Sequence, residues 1–364
     1  MLVYPVTFFS GAAAAAIFGA PDFTSSQFTP AVGTLFSAAH GLGSKPEFVV
    51  AELVCLTATN GYSIGDRIPW MAYSSDEVSG GLGAHISIIG FNTTDIFLTT
   101  GSSRFQIPQK STGVPVNATG SNWALELLAW KNNIPAPDFV SSDFGTPAPN
   151  TKFSAPHGLG LTPKLMMAEY ECVTAEGNYA VGDVFYNTSV VTNSANATAV
   201  DRARNWGYNG VDVFSLISAA AFLDKNSGTN VSPTATNWAF KLKVWDLPAP
   251  DFKSSGITPV NGSKISAAHS LTTVDFVLGE IVCNTSEQNW AIGDRMPFNS
   301  VAFDSSFGPA NNEYGHISGY DTTEAFFIAA ADGMRLLDKT TPTSTTGAAL
   351  TNANWDVELS VWGS

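Results

Sequence analysis

Trp238-Ala239-Phe240-Lys241-Leu242-Lys243-Val244-Trp245 is the stretch that decides the fold class. Trp238, Phe240, Leu242 and Val244 share one face, and Lys241, Lys243 and Trp245 share the other. Alternation with a period of two marks a strand, because successive side chains leave a strand on opposite faces. The stretch has two counterparts, Trp123, Leu125, Leu127, Ala129 and Trp355, Val357, Leu359, Val361. Each copy opens with Asn-Trp (Asn122-Trp123, Asn237-Trp238, Asn354-Trp355), and a second Trp follows seven residues on, at Trp130, Trp245 and Trp362.

Upstream, the recurrence continues. Ala39-His40-Gly41-Leu42-Gly43 leads to Cys55 and Gly65-Asp66; His157-Gly158-Leu159-Gly160 leads to Cys172 and Gly182-Asp183. His269-Ser270-Leu271 leads to Cys283 and Gly293-Asp294. The spacing from Cys to Asp is 11 residues each time, and from His to Cys it is 15, 15 and 14. Pro21-Asp22-Phe23, Pro137-Asp138-Phe139 and Pro250-Asp251-Phe252 open the copies, each with a Ser-Ser pair just beyond. The period, 113 to 116 residues, is that of an autonomous domain and not of a solenoid unit. The expected organisation is an N-terminal arm (1–20) and three β-domains, 21–135, 136–248 and 249–364.

The segment before each Cys alternates as well: Val49, Ala51, Leu53 and Cys55 share a face, as do Met166, Ala168, Tyr170 and Cys172, and Val277, Gly279, Ile281 and Cys283. Glu52, Glu169 and Glu280 fall on the opposite face, where a carboxylate is solvated or paired sideways. Turn residues punctuate every eight to twelve positions and no helical stripe stands out. The fold class is therefore all-β, with three tandem homologous β-sandwich or jelly-roll-like domains. Between Gly-Asp and the last strand the first and third repeats match, His85-Ile86-Ser87 with His316-Ile317-Ser318 and Asn92-Thr93-Thr94-Asp95 with Asp321-Thr322-Thr323-Glu324. The second repeat reads as a departure there, with Trp206-Gly207-Tyr208-Asn209-Gly210 in their place. Proline-bearing linkers, Asn132 to Pro135 and Asp246 to Pro248, are short enough to hold neighbouring domains in fixed relation.

Over 364 residues only 13% are charged, while 44% are hydrophobic and 12% aromatic, enough for three cores under a Ser, Thr, Asn and Gly surface. A formal net charge of −14 argues against nucleic-acid binding, which needs a basic footprint. One cysteine per repeat leaves no partner for a disulfide within a domain, and no C-x-x-C spacing supports zinc or redox chemistry. The apolar run Gly11 to Ala20 lacks a preceding Lys or Arg and is too short for a membrane span, so membrane insertion is not expected. It reads as an arm that packs on a neighbouring subunit or on the first domain.

His40, His157 and His269 precede strands and are expected to hydrogen-bond loop backbone. Asp66, Asp183 and Asp294 are expected to close turns onto backbone amides; calcium ligation is the alternative, and it needs further oxygens that sequence does not place. The Trp pairs, including Trp123, Trp238 and Trp355, read as core. Trp206, Tyr208 and Tyr320, in the variable middle, are the candidates for facing a ligand such as a sugar ring. No nucleophile elbow, H-E-x-x-H, Walker loop or dinucleotide fingerprint is present, so no catalytic residue, cofactor or metal site is assigned.

Taken together, His40-Gly41-Leu42-Gly43, Pro46, Cys55, Gly61-Tyr62, Gly65-Asp66, Asn92-Thr93-Thr94 and Asn122-Trp123 resemble a module common in virion proteins of tailed bacteriophages. The second repeat carries it from His157 to Gly160, then at Pro163, Cys172, Tyr179, Gly182-Asp183 and Asn237-Trp238. In the third, Ser270 and Thr272 replace the glycines, and Asn289-Trp290 replaces Gly-Tyr. The resemblance spans residues 20 to 364 and implies a virion location without catalytic residues. The expected role is a structural surface protein of the particle, first a tail-fibre or receptor-binding component. The close alternative is a head decoration protein in which three similar domains stand in for a trimer. Expected partners are other virion proteins, reached through the arm and apolar faces of a multimeric assembly, and host surface polysaccharide or protein. A carbohydrate-binding lectin and a depolymerase with two carboxylates in one repeat are the remaining classes.

Overall fold

The structure is a computed structural model and describes residues 19–70, 73–75, 87–101, 106–117, 120–145, 151–186, 204–217, 222–231, 233–234, 236–298, 301–303, 316–329, 334–336, 338–341 and 348–364. The expected N-terminal arm, apart from its last two residues, and His85 lie outside the described residues. The fold is all-β, and its framework is three seven-stranded antiparallel sheets.

Each sheet is built from two repeats. Phe23–Thr24, Trp123–Trp130, Phe48–Cys55 and Arg67–Trp70 of the first repeat continue, edge to edge, into His316–Tyr320, Glu324–Ala329 and Lys264–Ala268 of the third. Phe139–Val140, Trp238–Trp245, Leu165–Cys172 and Val184–Tyr186 of the second continue into Ser87–Phe91, Asp95–Thr100 and Leu35–Ala39 of the first. Phe252–Lys253, Trp355–Gly363, Val274–Cys283 and Arg295–Phe298 of the third continue into Arg204–Tyr208, Asp212–Ile217 and Thr151–Pro156 of the second. Every repeat thus passes three strands to a neighbour, first to second, second to third and third back to first. The ring closes.

Within a repeat the two groups of strands face one another, so each repeat remains a sandwich. In the first, Phe48–Cys55 packs on Ser87–Phe91, and Trp123–Trp130 packs on Asp95–Thr100; the other repeats do the same with their equivalents. Besides the short linkers, main-chain pairing between strands joins neighbouring repeats, at Val184 and Phe91, at Tyr208 and Arg295, and at Tyr320 and Arg67. The second repeat does not depart in its middle. Its strands Arg204–Tyr208 and Asp212–Ile217 take the places of Ser87–Phe91 and Asp95–Thr100, and of His316–Tyr320 and Glu324–Ala329. These strands also set Ser87, not His85, in the position of His316.

The long strands pair in full register, from Trp123 opposite Cys55 to Trp130 opposite Phe48, and equivalently in the other repeats. Their Phe48 ends converge. The Phe48 ring lies 5.5 Å from Trp130, 6.5 Å from Trp245 of the second repeat and 5.4 Å from Phe276 of the third, and Phe276 lies 5.8 Å from Trp362. Aromatic packing at these distances adds to the area buried, and here it ties all three repeats at one hub.

The repeat signatures fasten starts to ends. Asp22 accepts the backbone N–H groups of Lys131 and Asn132, Asp138 that of Asp246, and Asp251 that of Gly363. Ser25, Ser141 and Ser254 accept from the N–H groups of Leu127, Leu242 and Leu359. Trp130, Trp245 and Trp362 donate Nε1–H to the carbonyls of Gly19, Pro135 and Pro248. Pro-Asp-Phe, Ser-Ser and the second Trp are therefore one clamp, used three times.

Candidate functional site

The residues that recur most strictly meet where one repeat's sheet joins the next. Asp66, Asp183 and Asp294 close their turns as expected, with Oδ2 accepting from the N–H groups of Ser63, Ala180 and Ala291 at 2.8, 2.8 and 2.7 Å. The same oxygen also receives a lysine. Lys110, Lys225 and Lys339 donate Nζ–H to Asp66, Asp183 and Asp294 at 2.8, 2.7 and 2.6 Å. An ammonium group thus compensates each buried carboxylate, in the place where the calcium alternative would put an ion.

Each lysine also crosses a seam. Lys110 lies 4.3 Å from the ring of Phe326 in the third repeat, Lys225 lies 4.1 Å from Phe97 in the first, and Lys339 lies 4.2 Å from Phe214 in the second. A desolvated cation on an aromatic face is attracted by its quadrupole, by about 2 kcal/mol in favourable cases. Under each ring sits a glycine of the same repeat, Gly90, Gly207 or Gly319. A Cβ on Gly90 would lie 2.5 Å from the Phe97 ring and 2.4 Å from the carbonyl oxygen of Val184 across the seam. The neighbouring strand can approach only because that side chain is missing.

Asn92 completes the seam between the first two repeats. Its Oδ1 accepts the N–H groups of Thr94 and Asp95, and its Nδ2 donates to Asp183 Oδ1 at 2.8 Å. Asn209 does the same, capping Val211 and Asp212 and donating to Asp294 Oδ1 at 2.9 Å. At the seam that closes the ring the equivalent residue is Asp321, and Asp66 Oδ1 is buried without a hydrogen-bond partner. Lys110 there also lies 3.5 Å from Glu324 and 4.0 Å from Asp321.

Glu52, Glu169 and Glu280 follow the sideways-paired reading and are buried. Arg67 bridges Glu52 and Glu126, which stand directly opposite each other, at 2.6 and 2.9 Å; Arg295 bridges Glu280 and Glu358 at 2.9 and 2.6 Å. The second repeat exchanges both partners: Val184 replaces the arginine and Lys241 the second glutamate, while Glu169 pairs with Lys243 at 2.8 Å. Burial raises all three carboxyls above the usual range, Glu280 to about 7 with the Glu358 charge adding to the effect against Arg295. These carboxylates are held in ion pairs on strands.

His40 and His157 behave as expected. Leu42 and Leu159 donate N–H to their Nδ1 atoms, so Nε2 carries the proton and donates to the carbonyls of Asn92 and Asn209 at 3.2 and 3.1 Å. That loop needs positive φ at Gly41 and Gly43, and at Gly158 and Gly160. Ser270 and Thr272 do not supply it, and both ring nitrogens of His269 are left without a partner. Cys55, Cys172 and Cys283 are buried free thiols that donate to the carbonyls of Thr57, Thr174 and Thr285. Burial raises them, Cys283 to about 11, which keeps them protonated and unreactive near neutral pH. Trp123, Trp238 and Trp355 are core, and the last two donate Nε1–H to Glu176 and Glu287.

The ligand-facing candidates are corrected by the structure. Trp206, Tyr208 and Tyr320 are only 1%, 0% and 5% exposed, because the strand that carries Trp206 and Tyr208 and the strand that ends at Tyr320 are the ones inserted into a neighbouring repeat's sheet. They offer no face to a sugar ring. Tyr320 instead donates its hydroxyl to Glu52 at 2.7 Å, joining the third repeat to the first.

No family model, curated protein or solved structure matches the chain. Among the described residues no cluster of His, Cys, Asp and Glu is suited to hold a metal, and no helix is long and apolar enough to cross a membrane.

Sequence reading passed over Lys110, Lys225 and Lys339, together with Gly90, Gly207, Gly319 and the three seam phenylalanines. A signal was present. In a chain with only 17 Lys and Arg, a lysine recurs 42 to 45 residues after each Gly-Asp.

Proposed function

We propose that this chain is a structural, non-enzymatic protein of a tailed-bacteriophage particle, seated on the head as a decoration protein at a threefold position. The observation that carries the reading is the closed exchange of strands, first repeat to second, second to third and third to first. A single chain thereby acquires the cyclic relation of a trimer, which suits a seat where three identical neighbours meet. The most recurrent polar residues are consumed in fastening this ring, and Trp206, Tyr208 and Tyr320, the candidates for facing a sugar, are buried. The tail-fibre expectation is kept as the outcome that would displace the decoration reading.

Electron cryomicroscopy of particles carrying the chain tests this. Three-lobed density on the head shell at threefold positions is the expected result. Density on the tail would return the protein to the fibre or receptor-binding class, and absence from every particle fraction would sink the virion reading.

A further inference from the structure

Ile64, Val181 and Ile292 are the three most exposed large aliphatic side chains among the described residues, at 70, 67 and 71%. They are one position seen three times, the residue just before each Gly-Asp pair. The flanking residues that the fold needs are buried: Tyr62, Tyr179 and Trp290 two places before, and the aspartates two places after. The tip itself is exposed, where a polar residue would fold equally well, yet all three repeats keep a β-branched aliphatic. Other exposed aliphatics do not recur in this way; Val211, for example, stands where the other repeats have Thr94 and Thr323.

The tips are held stiffly. Besides the aspartate caps, Gly65, Gly182 and Gly293 donate N–H to the carbonyls of Cys55, Cys172 and Cys283 at 2.9, 2.8 and 2.9 Å. Side chains on such turns lose little freedom on docking. Exposed Leu56 and Val173 follow directly after the Cys of the same Cys–Gly pairing in the first two repeats. All three tips stand at the Cys ends of the long strands, away from the Phe48 hub, and the cyclic relation of the repeats sets them in a triangle.

We propose that Ile64, Val181 and Ile292 are the docking points of the chain, and that their occupant is a threefold-symmetric protein assembly presenting three equivalent shallow apolar pockets. A second copy of this chain fits less well. A net charge of −14 on each copy opposes pairing of two copies. Three weak contacts on one rigid partner reinforce one another, because the second and third form at high effective concentration, a gain of about 10²–10⁴ in avidity. The inference rests on the virion reading above and names the surface that would serve it.

The test adds the purified full-length chain to particles assembled without it and measures occupancy by co-sedimentation. Single variants Ile64→Ser, Val181→Ser and Ile292→Ser should each weaken binding several-fold. The triple variant should lose about 10²-fold or more, with thermal unfolding unchanged because the tips are exposed. A triple variant that binds like the wild type overturns the docking proposal and leaves the virion reading standing. Wild type that binds no particle overturns both. Tip-dependent dimers in analytical ultracentrifugation would assign the surface to a second copy and overturn the proposed occupant.

Discussion

Asn92 of the first repeat donates its side-chain amide to Asp183 of the second at 2.8 Å, across 91 residues of chain. Asn209 and Asp294 repeat the contact between the second and third repeats, but the closing seam sets Asp321 against Asp66, whose Oδ1 has no donor. Asp321→Asn should supply it, since Asn92 shows that an asparagine can cap the turn and donate at once. The expected gain is about 1 kcal/mol, read as a raised midpoint in urea denaturation. An unchanged or lowered midpoint would show that the Asp321 charge near Lys110 matters more than the missing hydrogen bond.

Removing a seam lysine should be costly. Lys225→Met leaves the Asp183 carboxylate buried beside Phe97 without its counter-charge, a loss of about 3–5 kcal/mol for a broken buried pair. Adding Asp183→Asn to the same chain should recover part of that loss. If the double variant is no more stable than the single one, the ion pair is not what the lysine contributes.

Two equivalent tyrosines should respond differently. Tyr320→Phe removes the hydroxyl that donates to Glu52 and should cost about 1–3 kcal/mol by leaving a buried acceptor unpaired. The Tyr208 hydroxyl is buried without a partner, so Tyr208→Phe should be neutral or slightly stabilising. Equal effects in chemical denaturation would contradict this asymmetry between seams.

Glu280 makes stability fall as pH rises through its range. Burial pushes its carboxyl up to about 7 in the folded chain, against the ordinary 4.5 when unfolded, so between these values the folded chain binds the extra proton. The contribution is fully present below about 4.5 and is lost as pH rises through about 7, with a slope of at most about 1.4 kcal/mol per pH unit. Glu280→Gln should flatten the stability profile between pH 5 and 7, roughly the window those two values define. A profile that keeps the wild-type slope would assign the titration to another group.

Local chemistry was legible in the sequence wherever a residue acts on its own neighbourhood. The alternating strands, the Asx turns at Asp66, Asp183 and Asp294, the backbone-bound His40 and His157 and the buried thiols all follow from short-range pattern. A period-two stripe reports which face is apolar. It carries no information about which strand lies alongside.

That choice belonged to the tertiary structure. Sequence alone determined three homologous all-β units of about 113 to 116 residues, because spacing and alternation repeat within the chain. Only the folded chain decided that each unit lends three strands to the next. A strand edge satisfies its hydrogen bonds equally well with strands of its own repeat or of another, and edge-to-edge geometry selects between them. Burial of Trp206, Tyr208 and Tyr320 follows from that selection, and so does the lysine–phenylalanine contact at every seam. Neither could be read from residues whose partners lie one repeat away.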